Sequence, residues 1–175
     1  AMRGHRVTLF EAASELGGQV ILASRETWRD ELIGITRFLT AEMARLGIEG
    51  RLSSYAEADD VLALEPDVVF TATGGTPNVG YFNGRELATT TWDILSGQAA
   101  PGREVLVLDE SGGPVSLSTS EVLAKAGAKV EIVTPDRAVG MELSDINLGA
   151  HMNELHALGV AITSDTKLVS VARSG

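Results

Sequence analysis

The residues of this chain best suited to chemistry are one carboxylate and two glycine pairs. Glu11 ends the apolar run Val7-Thr8-Leu9-Phe10. A carboxylate at the end of a buried strand accepts both hydroxyls of an adenosine ribose. Gly17-Gly18-Gln19 follows at a spacing that lets bare backbone amides approach a pyrophosphate. Ala72-Thr73-Gly74-Gly75 sits after a second apolar run, 68–71, at the edge where open parallel sheets bind ligands. Taken singly, each pattern also fits something plainer: a solvated turn acid for Glu11, a chain reversal for each glycine pair. Together, Glu11, Gly17, Gly18, Gln19, Thr73, Gly74 and Gly75 describe three segments converging on one dinucleotide.

The pattern occurs twice. Gly4 and Gly127 stand 123 positions apart, and so do Gly17 and Gly140. A constant offset across a gap is the mark of a duplicated unit. In each copy a helix-ending glycine feeds an apolar strand: 7–10 in the first copy, 130–133 in the second. Leu158-Gly159-Val160 echoes Leu46-Gly47-Ile48 and extends the duplication to a second helix-to-strand joint. The copies differ where it matters chemically, because the second strand ends in Thr134-Pro135 rather than an acid.

Other reactive side chains fall short of a site. His151 and His156 are five residues apart and would face different sides of one helix, a poor metal pair. His5 stands at a strand entry and reads as a surface residue. Ser116, Ser118 and Ser120 have neither a nucleophile elbow nor an identifiable base. Trp28 and Trp92 read as packing residues at lobe boundaries. No catalytic residue and no metal ligand is assigned.

The elements that must position these residues alternate in type. Apolar periodicity and glycine stops predict a helix over 29–46, with Leu32, Ile35, Leu39, Met43 and Leu46 at helical spacing, then a strand over 48–52. A short helix over 61–64 and a strand over 68–71 covered on both faces come next. A short helix over 92–95 precedes the strand 105–108, a helix over 116–126, the strand 130–133, a helix over 148–158 and a last strand over 167–172. Strands alternating with helices indicate α/β architecture with parallel sheets. The predicted organisation is a first lobe over 1–78, a crossing segment over 79–102 and a second lobe over 103–175.

Composition narrows the function classes. The chain has 175 residues, 44% hydrophobic and 22% charged, as expected of a globular protein. It has no cysteine, which excludes disulfides, thiolate zinc sites and iron–sulfur ligation within this segment. Against 14 basic residues stand 24 acidic ones, and the net charge of −10 opposes nucleic acid as a partner. No apolar run is long enough to span a bilayer and no signal peptide is apparent, so a cytoplasmic location without membrane contact is expected.

The stretch VTLFEAASELGGQ followed by TATGGTP resembles the flavoprotein reductases that join an old-yellow-enzyme barrel to two nucleotide-binding domains. That family includes 2,4-dienoyl-CoA reductase, trimethylamine and histamine dehydrogenases and N-methylproline demethylase-like enzymes. TTTWDILSG and VLVLDESGGPVSLSTSEVLAKAGAKVEIVTPDR look most like its amine-demethylating branch. The similarity spans nearly the whole chain. It implies Rossmann-like lobes of the FAD/NAD(P)-binding type, present as a truncated fragment of a flavin-dependent oxidoreductase. It further implies FAD or ADP as the nucleotide, FMN and an iron–sulfur cluster in an N-terminal barrel upstream, and an electron-transfer partner.

Two departures shape the expectations. The family's GxGxxG would precede Gly4 and no counterpart stands in this sequence, so the first lobe is expected to lack its first strand and to self-associate through the open edge. In the second lobe Ser111, Gly113 and Ser116 fall where the three glycines should stand, with Asp109 and Glu110 as extra acids. A side chain at the third position holds the helix off the strand, and the carboxylates repel a pyrophosphate. NAD(P)H binding there is therefore disfavoured, and Arg137 alone makes no cradle for it. The alternative for the chain is a non-catalytic scaffold or docking unit with vestigial nucleotide sites.

Overall fold

A computed structural model of the chain describes residues 1–25, 29–80 and 82–173. Trp28 lies outside the described residues. The chain divides into two compact units, Ala1–Gly75 and Thr76–Gly175, so the 79–102 segment lies within the second. Both are α/β with parallel strands.

The first unit contains β1 (Thr8–Phe10), α1 (Gln19–Ala23), α2 (Ile33–Arg45), β2 (Glu49–Arg51) and α3 (Ala58–Leu62). β1 and β2 pair in parallel with Thr8 opposite Glu49 and Phe10 opposite Arg51. Side chains reinforce this register: Thr8 Oγ1 donates to Glu49 Oε2 at 3.3 Å, Arg51 Nε donates to Glu49 Oε1 at 2.7 Å, and the Arg51 guanidinium lies 5.1 Å from the centre of the Phe10 ring. The Arg51 hydrogen bond holds the Glu49 carboxyl below its ordinary pKa.

The second unit contains α4 (Thr91–Ser96), β3 (Glu104–Leu108), α5 (Pro114–Lys125), β4 (Lys129–Val133), α6 (Asp145–Ala157) and β5 (Ala161–Thr163), with the strands ordered β3-β4-β5. Val107, Val130 and Ile132 from the sheet pack with Leu117 and Leu123 of α5, Leu155 of α6 and Val139 to form its core. Thr90 caps α4 through a reciprocal pair of bonds with Asp93.

One device ends α2, α5 and α6. In each, a glycine with positive φ (Gly47, Gly127 and Gly159) reverses the chain, and two backbone bonds close the last turn, as in Ile48 N to Met43 O at 3.0 Å and Gly47 N to Ala44 O at 3.2 Å. The next residue then enters a strand. The glycine signals read from the sequence therefore mark real joints.

Four expectations need correction. The covered strand over 68–71 does not form; Val68, Val69 and Phe70 are exposed, Phe70 by 90%. Strand backbone needs a hydrogen-bonding neighbour, and the described residues provide none there. Over 167–172 the only pairing among described residues is a single bridge from Ser170 to Asn83. The helix expected over 61–64 runs from Ala58 to Leu62, because the Asp60 carboxylate accepts from Glu57 N and fixes the start earlier. The helix expected from 148 begins at Asp145, directly after Ser144. The short helix α1 has no counterpart in the sequence-based reading.

The two units differ in completeness. The buried apolar residues all fall between Leu95 and Leu155, in the second unit. Among described residues of the first unit none is fully buried, and Ile35, Phe38 and Leu39 leave the apolar stripe of α2 exposed, Phe38 by 64%. No helix among the described residues is long and apolar enough to cross a membrane. An exposed stripe of this kind favours association. The 175-residue chain expressed alone is expected to show concentration-dependent association in sedimentation velocity and strong binding of a hydrophobic dye. The double variant Phe38→Asp, Phe70→Asp should reduce both; equal association by the variant would rule these faces out as the cause.

Candidate functional site

Glu11 is fixed by the end of β1. Its N–H donates to Arg51 O at 3.0 Å, extending the β1–β2 ladder by one bond, and its carbonyl accepts from Ser54 N at 2.9 Å. Ser53, with φ of 50°, turns the chain after β2 and donates to Ala13 O at 2.8 Å. The Glu11 carboxylate accepts from Ala13 N through Oε1 at 2.9 Å. The acid is thus half-buried and locked by a turn two residues long.

The second unit repeats this junction bond for bond. Thr134 follows β4 as Glu11 follows β1: its N–H donates to Thr163 O at 3.0 Å, its carbonyl accepts from Thr166 N at 3.0 Å, and Asp165, φ 51°, donates to Asp136 O at 3.0 Å. Even the side-chain bond recurs, with Asp136 N donating to Thr134 Oγ1 at 3.2 Å. The strand registers match as well, Thr8 with Glu49 in one unit and Glu131 with Ala161 in the other. The duplication is therefore structural, and the acid is the difference. Thr134 fills the turn-locking role of Glu11 without a charge to offer a ribose.

The glycines divide by role. A Cβ on Gly17, at φ 131°, would come within 2.9 Å of Ile21 Cγ1 and Thr36 Cγ2, so this glycine lets α2 approach the turn. Gly140 does the same in the second unit, where a Cβ would lie 2.6 Å from Leu148 Cδ1. Gly18 and Gly75 have open space where a side chain would stand. A Cβ on Gly74 would meet Gln19 Nε2 at 3.5 Å, so the Gly17–Gln19 and Thr73–Gly75 segments do come together. The strand end thus offers a carboxylate acceptor, and the two converging segments offer open glycine backbone, groups that could hold hydroxyls and an anion.

The loop between β3 and α5 is different. Asp109 is buried and continues the β3–β4 ladder, its N–H donating to Val133 O at 2.9 Å. Its Oδ1 accepts from Ser111 N at 3.2 Å, Gly112 N at 3.1 Å and Ser111 Oγ at 3.4 Å. Gly113 N donates to Ser111 Oγ at 3.3 Å, and Pro114, the first residue of α5, has no N–H. Every backbone donor of 111–113 is consumed within the loop. Ser111, Gly112 and Gly113 therefore present no free amide to a ligand in this arrangement. The acid foreseen as a repulsive neighbour sits inside the turn and holds its amides.

No family model matches the chain. It is 42% identical over 174 residues to a probable N-methylproline demethylase of Rhizobium meliloti, covering 99% of this chain and 26% of that protein. It is 42% identical over 183 residues to an N,N-dimethylglycine/sarcosine dehydrogenase of Chromohalobacter salexigens, covering 100% of this chain and 26% of that one. Among solved structures, 2-naphthoyl-CoA reductase in complex with 2-naphthoyl-CoA superimposes with a TM-score of 0.92 at 26% identity, over 98% of this chain and 26% of that chain. The chain matches one segment of these flavin-dependent oxidoreductases along nearly its whole length. The resemblance read from VTLFEAASELGGQ and TATGGTP is borne out, as is the Rossmann-like α/β class. The chain spans about a quarter of the length of the relatives it matches.

One feature of this segment escaped the sequence reading. Glu121 on α5 and His151 on α6 are buried together, with Glu121 Oε1 2.6 Å from His151 Nδ1 and side-chain exposures of 2% and 0%. The signal was present: each residue interrupts an apolar helical stripe, Leu117–Glu121–Ala124 on one helix and Leu148–His151–Leu155 on the other. The pair ties α5 to α6 across the core. Removing one member takes this buried contact away from the other, a change that costs about 1–3 kcal/mol for a buried polar group. Glu121→Ala should therefore lower the urea midpoint far more than Glu121→Gln, which retains an acceptor. Equal midpoints for both variants would show that the contact contributes little.

Proposed function

We propose that this chain supplies the adenine-nucleotide-binding region, for FAD or ADP, of a flavin-dependent oxidoreductase that acts on N-methylated amino acids. The observation that carries the reading is the paired junction. Two identical backbone frames hold residue 11 and residue 134, and an acid stands in the frame whose neighbouring glycines are open. Glu11 would bind the ribose, and Gly18, Gln19, Gly74 and Gly75 would flank the phosphates. A bound flavin would supply the redox chemistry, while these residues bind and orient it. Thr73 would stand at the mouth of the same segment.

The substrate class follows the relatives named for N-methylproline demethylation and for dimethylglycine or sarcosine dehydrogenation. An N-methyl group on an amino acid is common to all three substrates. In the full-length polypeptide, an FMN barrel with an iron–sulfur cluster would lie upstream, electrons would leave to a separate carrier, and the protein would work in the cytoplasm. For the second lobe the closed Ser111–Gly113 loop favours the other reading, a scaffold that no longer binds NAD(P)H.

The test uses Glu11 in the full-length protein. Glu11→Thr places in the first junction the residue that already locks the second, so the fold should persist. The charge is lost from two ribose hydrogen bonds, each worth roughly 1.5–3 kcal/mol with a charged acceptor. Partial compensation leaves an expected loss of about 10-fold to 100-fold in FAD or ADP affinity, with the melting temperature of the nucleotide-free protein unchanged. Unchanged affinity would make Glu11 a turn residue only.

A further inference from the structure

A buried carboxylate bonded to consecutive backbone amides at the start of a helix stands where a phosphate would otherwise be held. We propose that Asp109 is a built-in anion that occupies the phosphate position of the β3–α5 loop and closes the second lobe to dinucleotides. Substituting it with a side chain that lacks an acceptor should turn this loop into a phosphate site.

The geometry supports replacement of a ligand by a side chain rather than simple decay of a motif. A decayed loop would leave its amides to water or twist them apart. Here Ser111 N and Gly112 N converge on one oxygen, Asp109 Oδ1, at 3.2 and 3.1 Å. Gly112, at φ 62°, supplies the left-handed backbone that lets successive N–H groups point to one side. The loop is braced from outside, because Glu142 N donates to Gly112 O at 2.9 Å. Beneath it, two buried polar atoms have no hydrogen-bond partner among the described residues, Asp109 Oδ2 and Ser116 Oγ in the first turns of α5. A group with several acceptor oxygens could take both amides and still accept from a hydroxyl. A phosphate is such a group.

The assignment also separates two ways of excluding a phosphate. If charge alone repelled it, neutralising Asp109 would be enough. If occupied amides exclude it, the acceptor itself must go. Asp109→Asn keeps Oδ1 as an acceptor for Ser111 N and Gly112 N, whereas Asp109→Ala frees both.

The experiment compares wild type, Asp109→Asn and Asp109→Ala in the full-length protein, so that any pyrophosphate binding by the first lobe is common to all three and only the difference between them is read. Inorganic pyrophosphate and NADH are titrated by calorimetry at low salt, and thermal stability is followed in chloride and in pyrophosphate. Asp109→Ala should bind one pyrophosphate more than wild type and Asp109→Asn bind, and gain at least about 2 °C more in Tm from it than they do. If Asp109→Ala does not fold in chloride, its recovery in pyrophosphate buffer is the same result read differently. Failure to recover in either buffer, no binding beyond that of wild type by a folded Asp109→Ala, or equal gain by Asp109→Asn overturns the proposal. Because the first lobe is the same in all three proteins, none of these outcomes bears on its nucleotide reading.

Discussion

A parallel strand cannot be followed by a tight hairpin, so its end must be secured by the chain that returns beside it. That constraint organises both units. The residue after the strand donates to the last carbonyl of its neighbour, accepts from the residue that follows the neighbour's turn, and locks its own turn by a side-chain oxygen two residues back from the donor. A residue with positive φ, Ser53 or Asp165, is required to bring the returning chain into place. Once this frame exists, the position after the strand is held rigidly at the carboxyl edge of the sheet. What stands there is then free to be chosen for chemistry, provided its side chain offers one acceptor. Glu11 and Thr134 are two answers to the same demand, and only one of them has a second oxygen to spare.

The same frame explains what was legible in the sequence. The helix-ending glycines, the apolar strands at 8–10, 104–108 and 129–133 and the offset of 123 all follow from local rules of turn and periodicity, and the structure contains them. Illegible were the features that depend on a partner distant in sequence. Residues 68–71 have the composition of a covered strand but no neighbour to pair with among the described residues, so composition alone overstated them. Glu121 and His151 read as interruptions of two separate helices until the packing of α5 against α6 joined them. Asp109 was visible as a charge near a glycine loop. That its oxygen would turn inward depended on Gly112 reversing the chain, which sequence periodicity does not reveal.

Asp109 and Glu11 also show how one carboxylate can serve opposite ends. Both accept backbone N–H bonds within a few residues of a strand terminus. Glu11 uses one oxygen on one amide and sits half-exposed. Asp109, one methylene shorter, follows its strand as a ladder residue and is drawn beneath the loop, where it meets two amides and a hydroxyl. The shorter side chain cannot reach outward past the loop it caps. Length and backbone direction, rather than charge, therefore decide which acid offers itself to a ligand and which consumes the loop's own donors.

The uneven burial of the two units has an energetic consequence. Ordering a residue costs on the order of 1–2 kcal/mol in backbone entropy, and apolar burial is the main term that offsets it. The second unit has a closed core from Val107 to Leu155 and the Glu121–His151 tie within it. The first unit has its sheet register, its glycine joints and its strand-end frame, but its apolar side chains at 35, 38, 39 and 68–70 remain in solvent. Local hydrogen bonds alone contribute little net stability, because water competes for the same groups. Its frame is therefore well specified in geometry while much of the apolar surface that would stabilise it is unburied. A ligand or a neighbouring segment that covers those side chains would strengthen the frame around Glu11, so binding to them and the order of the unit should rise together.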